Sequence, residues 1–217
     1  MSGVAVNLVS FSFMPFGTLY GITANPLLTA KAGLTYGDIN WLNFAKEACD
    51  LGAKEFHAQI FGSASNALKF SEILFRVGAQ IGLTCVVKIP LTEDGIRFAP
   101  QIKAMGGSIL MTACYDAKQL ITASAVGAKY IAPYFGRMYD AGLDVMAHMR
   151  VIHAMSSSTQ CQPIIASLRN AQQMVDIASI GHTCFKISPS LARNLFDDEL
   201  TQKAILDFEL IAEEGKP

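Results

Sequence analysis

The chain has 217 residues, of which 51% are hydrophobic and 16% are charged, and its formal net charge is −1. This length suits one α/β domain, and the large apolar share favours a sheet that is buried on both faces. The near-neutral charge, without a basic run, argues against a nucleic-acid surface and favours a small substrate.

The cysteine pattern and the N-terminus indicate the compartment. Five cysteines are spread along the chain without a CxxC pair, at Cys49, Cys85, Cys114, Cys161 and Cys184. This pattern is typical of reduced thiols in a cytoplasmic protein, and it predicts neither a disulfide framework nor a zinc site. No basic segment precedes the first apolar stretch, and no uncharged apolar run approaches ~20 residues, so we expect neither a signal peptide nor a membrane span.

Apolar runs alternate with helical periodicities along the chain. Predicted strands cover 4–10, a short stretch within 20–26, 56–60, 85–90, 108–114, 130–135, 163–168 and 183–187. Predicted helices cover 38–51, 63–77, 92–105, 116–126, 143–155 and 170–180, and terminal helices capped by Ser188 or Ser190 continue to about residue 214. A Phe-rich segment, 11–18, stands where a first helix would be expected.

The alternation of eight strands with helices defines the expected fold. It predicts a parallel sheet, and eight units allow closure into a single (β/α)8 (TIM) barrel with a shortened first βα unit. An open doubly wound sheet is the alternative, but no Gly-rich phosphate loop follows the first strand. No linker divides the chain, so we expect residues 1–217 to form one barrel domain.

One lysine stands near the end of a short, apolar, β-branched run, Cys85-Val86-Val87-Lys88-Ile89-Pro90. The period-2 geometry of a strand places Val86 and Lys88 on one face and Cys85, Val87 and Ile89 on the other. A lysine in this position either extends to water in an ordinary ion pair or loses its proton more easily than a free amine. The second outcome would make Lys88 a nucleophile.

Polar residues end six consecutive predicted strands. They are Asn25, Gln59, Lys88, Thr112, Tyr134 and Ser167. In a barrel of this type, functional side chains gather at the C-terminal strand ends. Each residue also has a structural explanation, such as turn initiation by Asn25, but six of them around one lysine predict a polar active site.

A second group of polar residues, Arg137, Ser167 and Arg169, follows the sixth and seventh strands. Two guanidinium groups and a hydroxyl suit a phosphate, whereas the alternative for each arginine is a surface pair with a carboxylate. His57 lies one layer deeper and is predicted to be a hydrogen-bonded barrel residue rather than a base. Lys186, in the eighth strand, is a competing amine that ranks below Lys88.

Four stretches resemble the transaldolase family, specifically the small-subunit branch that includes fructose-6-phosphate aldolases. They are 21–26 (GITANP), 87–95 (VKIPLTEDG), 127–134 (GAKYIAPY) and 165–170 (IASLRN), in the family's order and spacing. The resemblance implies that Lys88 is the Schiff-base lysine, which attacks the ketone of fructose 6-phosphate, and that glyceraldehyde 3-phosphate leaves when the C3–C4 bond breaks. It also implies that Asn25 orients the lysine and substrate.

The resemblance further implies roles for the remaining residues. Tyr134 would act as acid and base, Gln59 and Thr112 would hold a water molecule, and the second polar group would hold the substrate phosphate. No metal and no cofactor is implied, and a homo-oligomer, either a pentamer or a decamer, is expected. The partner is a sugar phosphate, with neither nucleic acid nor membrane involved.

Two positions separate the branches of this family. Transaldolases carry Glu where this chain has Gln59 and Phe where it has Tyr134, whereas the aldolase branch carries Gln and Tyr. A phenol can pass protons to the enamine, and a phenylalanine cannot. The expected reaction is therefore cleavage of fructose 6-phosphate to dihydroxyacetone and glyceraldehyde 3-phosphate. The alternative is transfer of the dihydroxyacetone unit to an aldose phosphate such as erythrose 4-phosphate, in the pentose phosphate pathway.

The first strand departs from the family pattern, in which it ends in Asp-Thr. Here it reads Val6-Asn7-Leu8-Val9-Ser10, without an acid, and either Asn7 or Ser10 is expected to take the place of the aspartate. Loss of this carboxylate raises the alternative of a non-catalytic barrel that binds sugar phosphates. A barrel lyase with unrelated chemistry is a third possibility, which the matched segments disfavour.

Overall fold

The computed structural model describes residues 3–7 and 19–215, and within them eight parallel strands form one sheet. In chain order the strands are β1 Gly3–Asn7, β2 Gly21–Thr23, β3 Glu55–Gln59, β4 Thr84–Pro90, β5 Ser108–Cys114, β6 Tyr130–Pro133, β7 Gln162–Pro163 and β8 Cys184–Ile187. Their order in the sheet is β7-β6-β5-β4-β3-β2-β1-β8, so each strand from β1 to β7 lies beside its neighbour in sequence.

The sheet closes on itself between its two ends. Just after β7, the Ile165 amide donates to the Cys184 carbonyl at 2.9 Å, and the Lys186 amide donates to the Ile165 carbonyl at 2.8 Å. On its other side, β8 pairs with β1. These contacts make the fold a parallel α/β barrel, as the alternation of strands and helices predicted.

Helices connect the strands. They are α1 Pro26–Lys31, α2 Trp41–Asp50, α3 Ala64–Ile81, α4 Glu93–Ala104, α5 Gln119–Ala125, α6 Phe135–Asp140, α7 Val145–Ser156, α8 Ala171–Ser179, α9 Pro189–Asn194 and α10 Glu199–Glu214, with a 3₁₀ turn at Tyr36–Asp38. Most of them begin at a polar side chain that accepts a hydrogen bond from a main-chain amide of the first turn, which satisfies one otherwise unpaired donor. These N-caps are Asn25, Asn40, Ser63, Thr92, Asp144, Asn170, Ser188 and Asp198.

The apolar residues form two layers, one on each side of the sheet. The outer layer, between sheet and helices, contains Cys85, Val87 and Ile89 of β4, whereas Val86 belongs to a smaller cluster inside the barrel. Lys88 is fully buried on the Val86 side of the strand. The alternation predicted for this strand is therefore confirmed.

Two segments differ from the expected strands. The strand predicted over 130–135 ends at Pro133, because Phe135 already begins α6. The strand predicted over 163–168 is reduced to Gln162–Pro163 with isolated bridges at Ile165 and Ala166. The Phe-rich segment 11–18, on which the prediction of a shortened first unit depends, and Ser10 lie outside the described residues.

Candidate active site

The amine of Lys88 is enclosed at the end of β4. Its side chain is 0% exposed, and Nζ donates hydrogen bonds to the carbonyl oxygen of Ala24 at 2.9 Å and to Thr23 Oγ1 at 3.2 Å. Both acceptors are neutral, so neither compensates a positive charge on the amine. A lysine in this setting favours the uncharged form.

A second buried lysine intensifies this effect. Lys186 of β8 is 3% exposed, and its amine lies near enough to that of Lys88 for the two groups to affect each other's pKa. Burial, followed by the charge and hydrogen bond of Lys186, lowers the pKa of Lys88 well below its ordinary value. Burial also lowers the pKa of Lys186, but there the hydrogen bond with Lys88 acts in the opposite direction.

The turn after β4 is tightly packed against the end of the strand. Thr92 caps α4, and its Oγ1 accepts from the amide of Gly95 at 3.1 Å. A Cβ atom on Gly95 would overlap the carbonyl oxygen of Pro90, so only glycine lets the helix approach this closely. The motif that follows Lys88 therefore supports the backbone from which the lysine projects.

Thr112 and Tyr134 meet at the ends of β5 and β6. Thr112 Oγ1 and the Tyr134 hydroxyl are hydrogen-bonded at 2.9 Å, and burial raises the pKa of Tyr134 above its ordinary value. Ala113, next to Thr112, has φ 58°, and the register between β5 and β6 shifts between Met111 and Cys114. A non-glycine residue in the left-handed region is uncommon and often marks a functional segment.

Asn25 and Gln59 have well-defined backbone positions. Asn25 Oδ1 caps α1 by accepting from the Leu28 amide at 2.8 Å, whereas its position before Pro26 predicted turn initiation and no helix. Gln59 is in register with Lys88, one strand away. The Tyr36 hydroxyl holds the Gln59 backbone, since it donates to the carbonyl at 2.8 Å and accepts from the amide at 2.7 Å.

The two arginines of the expected phosphate group have different partners. Arg137 donates to the Tyr115 hydroxyl at 3.2 Å and lies over the Tyr134 ring, whereas Arg169 pairs with Asp140 at 2.6 Å on the surface. The alternative of a surface ion pair with a carboxylate therefore applies to Arg169 but not to Arg137. Ser167 has φ 65°, and its carbonyl accepts from the amide of Gly136 at 3.1 Å.

A network of ionisable groups lies deeper in the barrel, around Glu55. The carboxylate, which is 2% exposed, accepts from His57 Nε2 at 2.8 Å, Lys129 Nζ at 2.7 Å and the Tyr130 hydroxyl at 3.1 Å. Burial alone would raise the pKa of Glu55, but hydrogen bonding from His57 and the nearby Lys129 lower it to about 2. Burial lowers the pKa of His57, so its ring is neutral near pH 7, and Lys129 carries the charge that balances the carboxylate.

Sequence reasoning missed several residues of this site. Thr23 and the Ala24 carbonyl lie in the GITANP stretch but were not recognised as partners of Lys88, and Tyr36 had no local signal. Asn7 ends β1 in register with Thr23, beside the acceptor of Lys88. Ser10, the other candidate for the place of the aspartate, lies outside the described residues.

Within residues 3–7 and 19–215, no group of three or more His, Cys, Asp or Glu side chains could hold a metal ion. Across the same residues, no helix is both long and apolar enough to cross a membrane.

The barrel resembles solved structures of low sequence identity. A mandelate oxidase variant with (S)-mandelic acid aligns over 85% of this chain at a TM-score of 0.59 and 11% identity, and a complex with benzaldehyde aligns at 0.58. This chain covers 64% of either mandelate oxidase chain. At such identity the likeness concerns the fold alone. The protein is thus a parallel α/β barrel, and in this chain a buried lysine lies at the end of one strand.

Sequence relatives identify the family. The family described as Transaldolase/Fructose-6-phosphate aldolase matches residues 4–215, and the chain belongs to it. A probable transaldolase of Paracoccus denitrificans is 31% identical over 196 residues, which are 88% of this chain and 86% of that protein. One from Caulobacter sp. strain K31 is 32% identical over 194 residues, with the same two shares. The protein is therefore an enzyme of the aldolase/transaldolase type.

Proposed function

We propose that this protein is a Schiff-base aldolase that cleaves fructose 6-phosphate into dihydroxyacetone and glyceraldehyde 3-phosphate. The observation that carries the proposal is the amine of Lys88, which is fully buried, donates hydrogen bonds to two neutral oxygens, and has a lowered pKa. A neutral amine at neutral pH is what attack on a ketone requires.

The arrangement supports the following order in which bonds form and break. Lys88 Nζ forms a bond to C2 of the ketose, the former carbonyl oxygen leaves as water, and an iminium ion results. The iminium accepts the electron pair of the C3–C4 bond as that bond breaks, and an enamine of three carbons remains on Lys88. Protonation at C3 and hydrolysis then release dihydroxyacetone and restore the amine.

Tyr134 and Thr112 are suited to the proton transfers of this sequence. Cleavage removes one proton from the C4 hydroxyl, and release of product delivers one proton to C3, so no net proton is consumed. Burial raises the pKa of Tyr134, so the phenol is protonated near pH 7 and can donate to the enamine. A water held between Gln59 and Thr112 would accept the C4 proton during cleavage. After Tyr134 has donated its own proton to C3, the phenolate would recover the C4 proton through Thr112, which is hydrogen-bonded to it at 2.9 Å.

The phosphate-binding role rests on Arg137, Ser167 and Arg169. Arg137 is held by tyrosines rather than by a carboxylate, so its remaining donors are available to a phosphate. Arg169 would exchange its exposed pair with Asp140 for the substrate, at small cost because such surface pairs contribute little. Asn25, at the start of α1, follows directly after the carbonyl that binds Lys88 and would orient the substrate beside it.

Transaldolase activity is the second candidate, since the relatives described above are named probable transaldolases. The two activities share every step up to the enamine and differ in whether water or an aldose phosphate follows. Gln59 and Tyr134 support the aldolase, because a phenol beside the enamine promotes its protonation.

Borohydride trapping tests the covalent step. The enzyme is treated with fructose 6-phosphate and borohydride, and then analysed by intact mass and peptide mapping. We expect a three-carbon adduct on the Lys88 peptide in the wild type and in Lys103→Met, a control lysine on the exposed surface of α4, but none in Lys88→Met. A folded wild type that binds the sugar without forming an adduct would contradict the proposal and favour a non-catalytic binding barrel.

Product analysis tests the choice between activities. Dihydroxyacetone released without an acceptor supports the aldolase. Product that forms only when erythrose 4-phosphate is present would establish the transaldolase instead.

We also propose that the enzyme is a homo-oligomer, either a pentamer or a decamer as the family resemblance implies. Helix α10 carries large apolar side chains that are exposed in the single chain, among them Leu200, Leu206, Phe208 and Ile211. Exposed apolar surface of this kind is typical of a subunit contact.

A further inference from the structure

Two lysines share the interior of the barrel, and only one of them has a role in the proposed chemistry. Lys186 lies on β8, whose backbone is fixed on both sides by pairing with Ala5 of β1 and with the Ile165 carbonyl. Its side chain is 3% exposed, and alternation with Phe185 and Ile187 of the outer layer directs it into the interior that holds Lys88. Burying two amines against each other is costly, because at most one of them can carry a proton without strong repulsion.

The hydrogen bonds of Lys88 determine which amine is neutral. An uncharged amine has two N–H donors and one lone pair, and Lys88 uses two donors on Thr23 Oγ1 and the Ala24 carbonyl. Its lone pair is then free to accept from Lys186 or to attack a substrate. Lys186 is accordingly the amine that retains the proton.

Among residues 3–7 and 19–215, no carboxylate other than Glu55 faces this interior. The ionisable groups that line it are Glu55 and His57 of β3, Lys88 of β4, Tyr130 of β6, Tyr134 just after β6, and Cys184 and Lys186 of β8. The five residues of β1 include none that is ionisable. Glu55 is already bound by His57, Lys129 and Tyr130, so the charge of Lys186 acts on Lys88 without compensation.

We propose that Lys186 is a positioning residue for Schiff-base formation, a second buried amine that retains the shared proton and thereby keeps Lys88 as the neutral nucleophile. This inference rests on the function proposed above.

The pH profile of Schiff-base formation tests this role. The rate of trapping by cyanoborohydride at a fixed fructose 6-phosphate concentration is measured from pH 5.5 to 10 for the wild type and Lys186→Met. Without the neighbouring cation, the acid limb of the profile should move up by about one to two pH units, since a charge at contact distance has an effect of that order. The variant should therefore react about tenfold or more slowly at pH 7 and recover towards the wild-type rate at pH 10.

A matched variant shows whether the shift of the acid limb is specific to Lys186 or follows the loss of any lysine near the barrel interior. Lys129→Met removes a cation that binds Glu55 but has no contact with Lys88, so its acid limb should stay at the wild-type pH. Lys186→Thr is a second variant, for use if Lys186→Met does not fold. An unmoved limb in a folded Lys186 variant, or a rate lowered equally at every pH, would overturn the inference. A sugar adduct on Lys186 in Lys88→Met would also overturn it, because Lys186 would then be a nucleophile.

A measurement without substrate separates failure of this inference from failure of the proposed function. The ¹³Cε signal of Lys88, assigned by its loss in Lys88→Met, is titrated in the wild type and in Lys186→Met. An upward shift of the Lys88 midpoint in the variant supports the inference even if the wild type forms no adduct. Identical midpoints overturn it even if trapping succeeds.

Discussion

Thr112 Oγ1 lies 2.9 Å from the hydroxyl of Tyr134, which joins the ends of two neighbouring strands across the mouth of the barrel. Tyr134→Phe deletes this bond and the phenolic proton while leaving the ring. We expect release of free dihydroxyacetone to fall about 10²- to 10⁴-fold, the usual contribution of a general acid. Transfer to erythrose 4-phosphate should be retained, because in transfer the enamine bonds to the aldose and does not need a proton from Tyr134.

The control for this prediction is Thr112→Val, which removes the hydrogen bond but keeps the phenol. It should lower release less than Tyr134→Phe does. Equal loss of release and transfer in Tyr134→Phe would indicate that the phenol acts in cleavage rather than in enamine protonation.

The lowered pKa of Glu55 predicts that the protein loses stability in acid. Its pKa in the folded protein, about 2, lies below the ordinary value of 4.5, so its contribution to stability is complete above pH 4.5 and is lost as the pH falls towards 2. Glu55→Gln should lower the free energy of unfolding at pH 7 by about 3–5 kcal/mol, as expected when one partner of a buried ionic network is removed.

Urea unfolding between pH 2 and 7 measures both effects, and the variant should show the flatter pH dependence below pH 4.5. Glu72→Gln is the control, since Glu72 pairs with Arg76 on the exposed face of α3 at 3.0 Å and should contribute little. Parallel curves for the wild type and Glu55→Gln would show that folding does not change the pKa of this carboxyl group.

The lowered pKa of Lys186 predicts that this residue destabilises the folded protein at neutral pH and that the effect is lost in base. Its pKa is lowered from 10.5 to about 8 in the folded protein, so the unfolded chain binds more protons between these values and stability rises with pH across that range. Lys186→Met should therefore be more stable than the wild type, by on the order of 3 kcal/mol below pH 8, and the difference should disappear by about pH 10.5.

Urea unfolding at pH 7, 9 and 10.5 measures this difference. Buried thiols such as Cys85, whose pKa burial raises to about 12, reduce stability in base but are common to both proteins and cancel in the comparison. A difference that does not change with pH would mean that the pKa of Lys186 is the same in the folded and the unfolded protein.

Helix α10 predicts the state of association. Phe208→Glu places a charge among its exposed apolar side chains and should convert the oligomer into smaller species in sedimentation velocity, because burying the charge would be costly. Ile121→Glu, at an exposed apolar position on α5, should leave the oligomer intact. A wild type that sediments as a monomer would contradict the prediction.

Local patterns sufficed for much of the architecture and for the position of Lys88. The period of two along β4 identifies its buried face, and the capping residue Ser188 marks the start of α9, because both effects act over a few residues. The boundaries of β6 and β7 were less accurate. There the chain turns into α6 or keeps only single bridges, and packing against neighbouring strands decides where pairing stops.

Local periodicity is enough to predict the alternation of strands and helices, the lysine at a strand end and the polar residues that follow neighbouring strands. The partners of these residues depend on the three-dimensional fold. Closure of the barrel brings Lys186 of β8 against Lys88 of β4, and it places Lys129 on Glu55. Such contacts depend on register and burial across the whole sheet, so their effect on a pKa cannot be inferred from the residues beside each lysine.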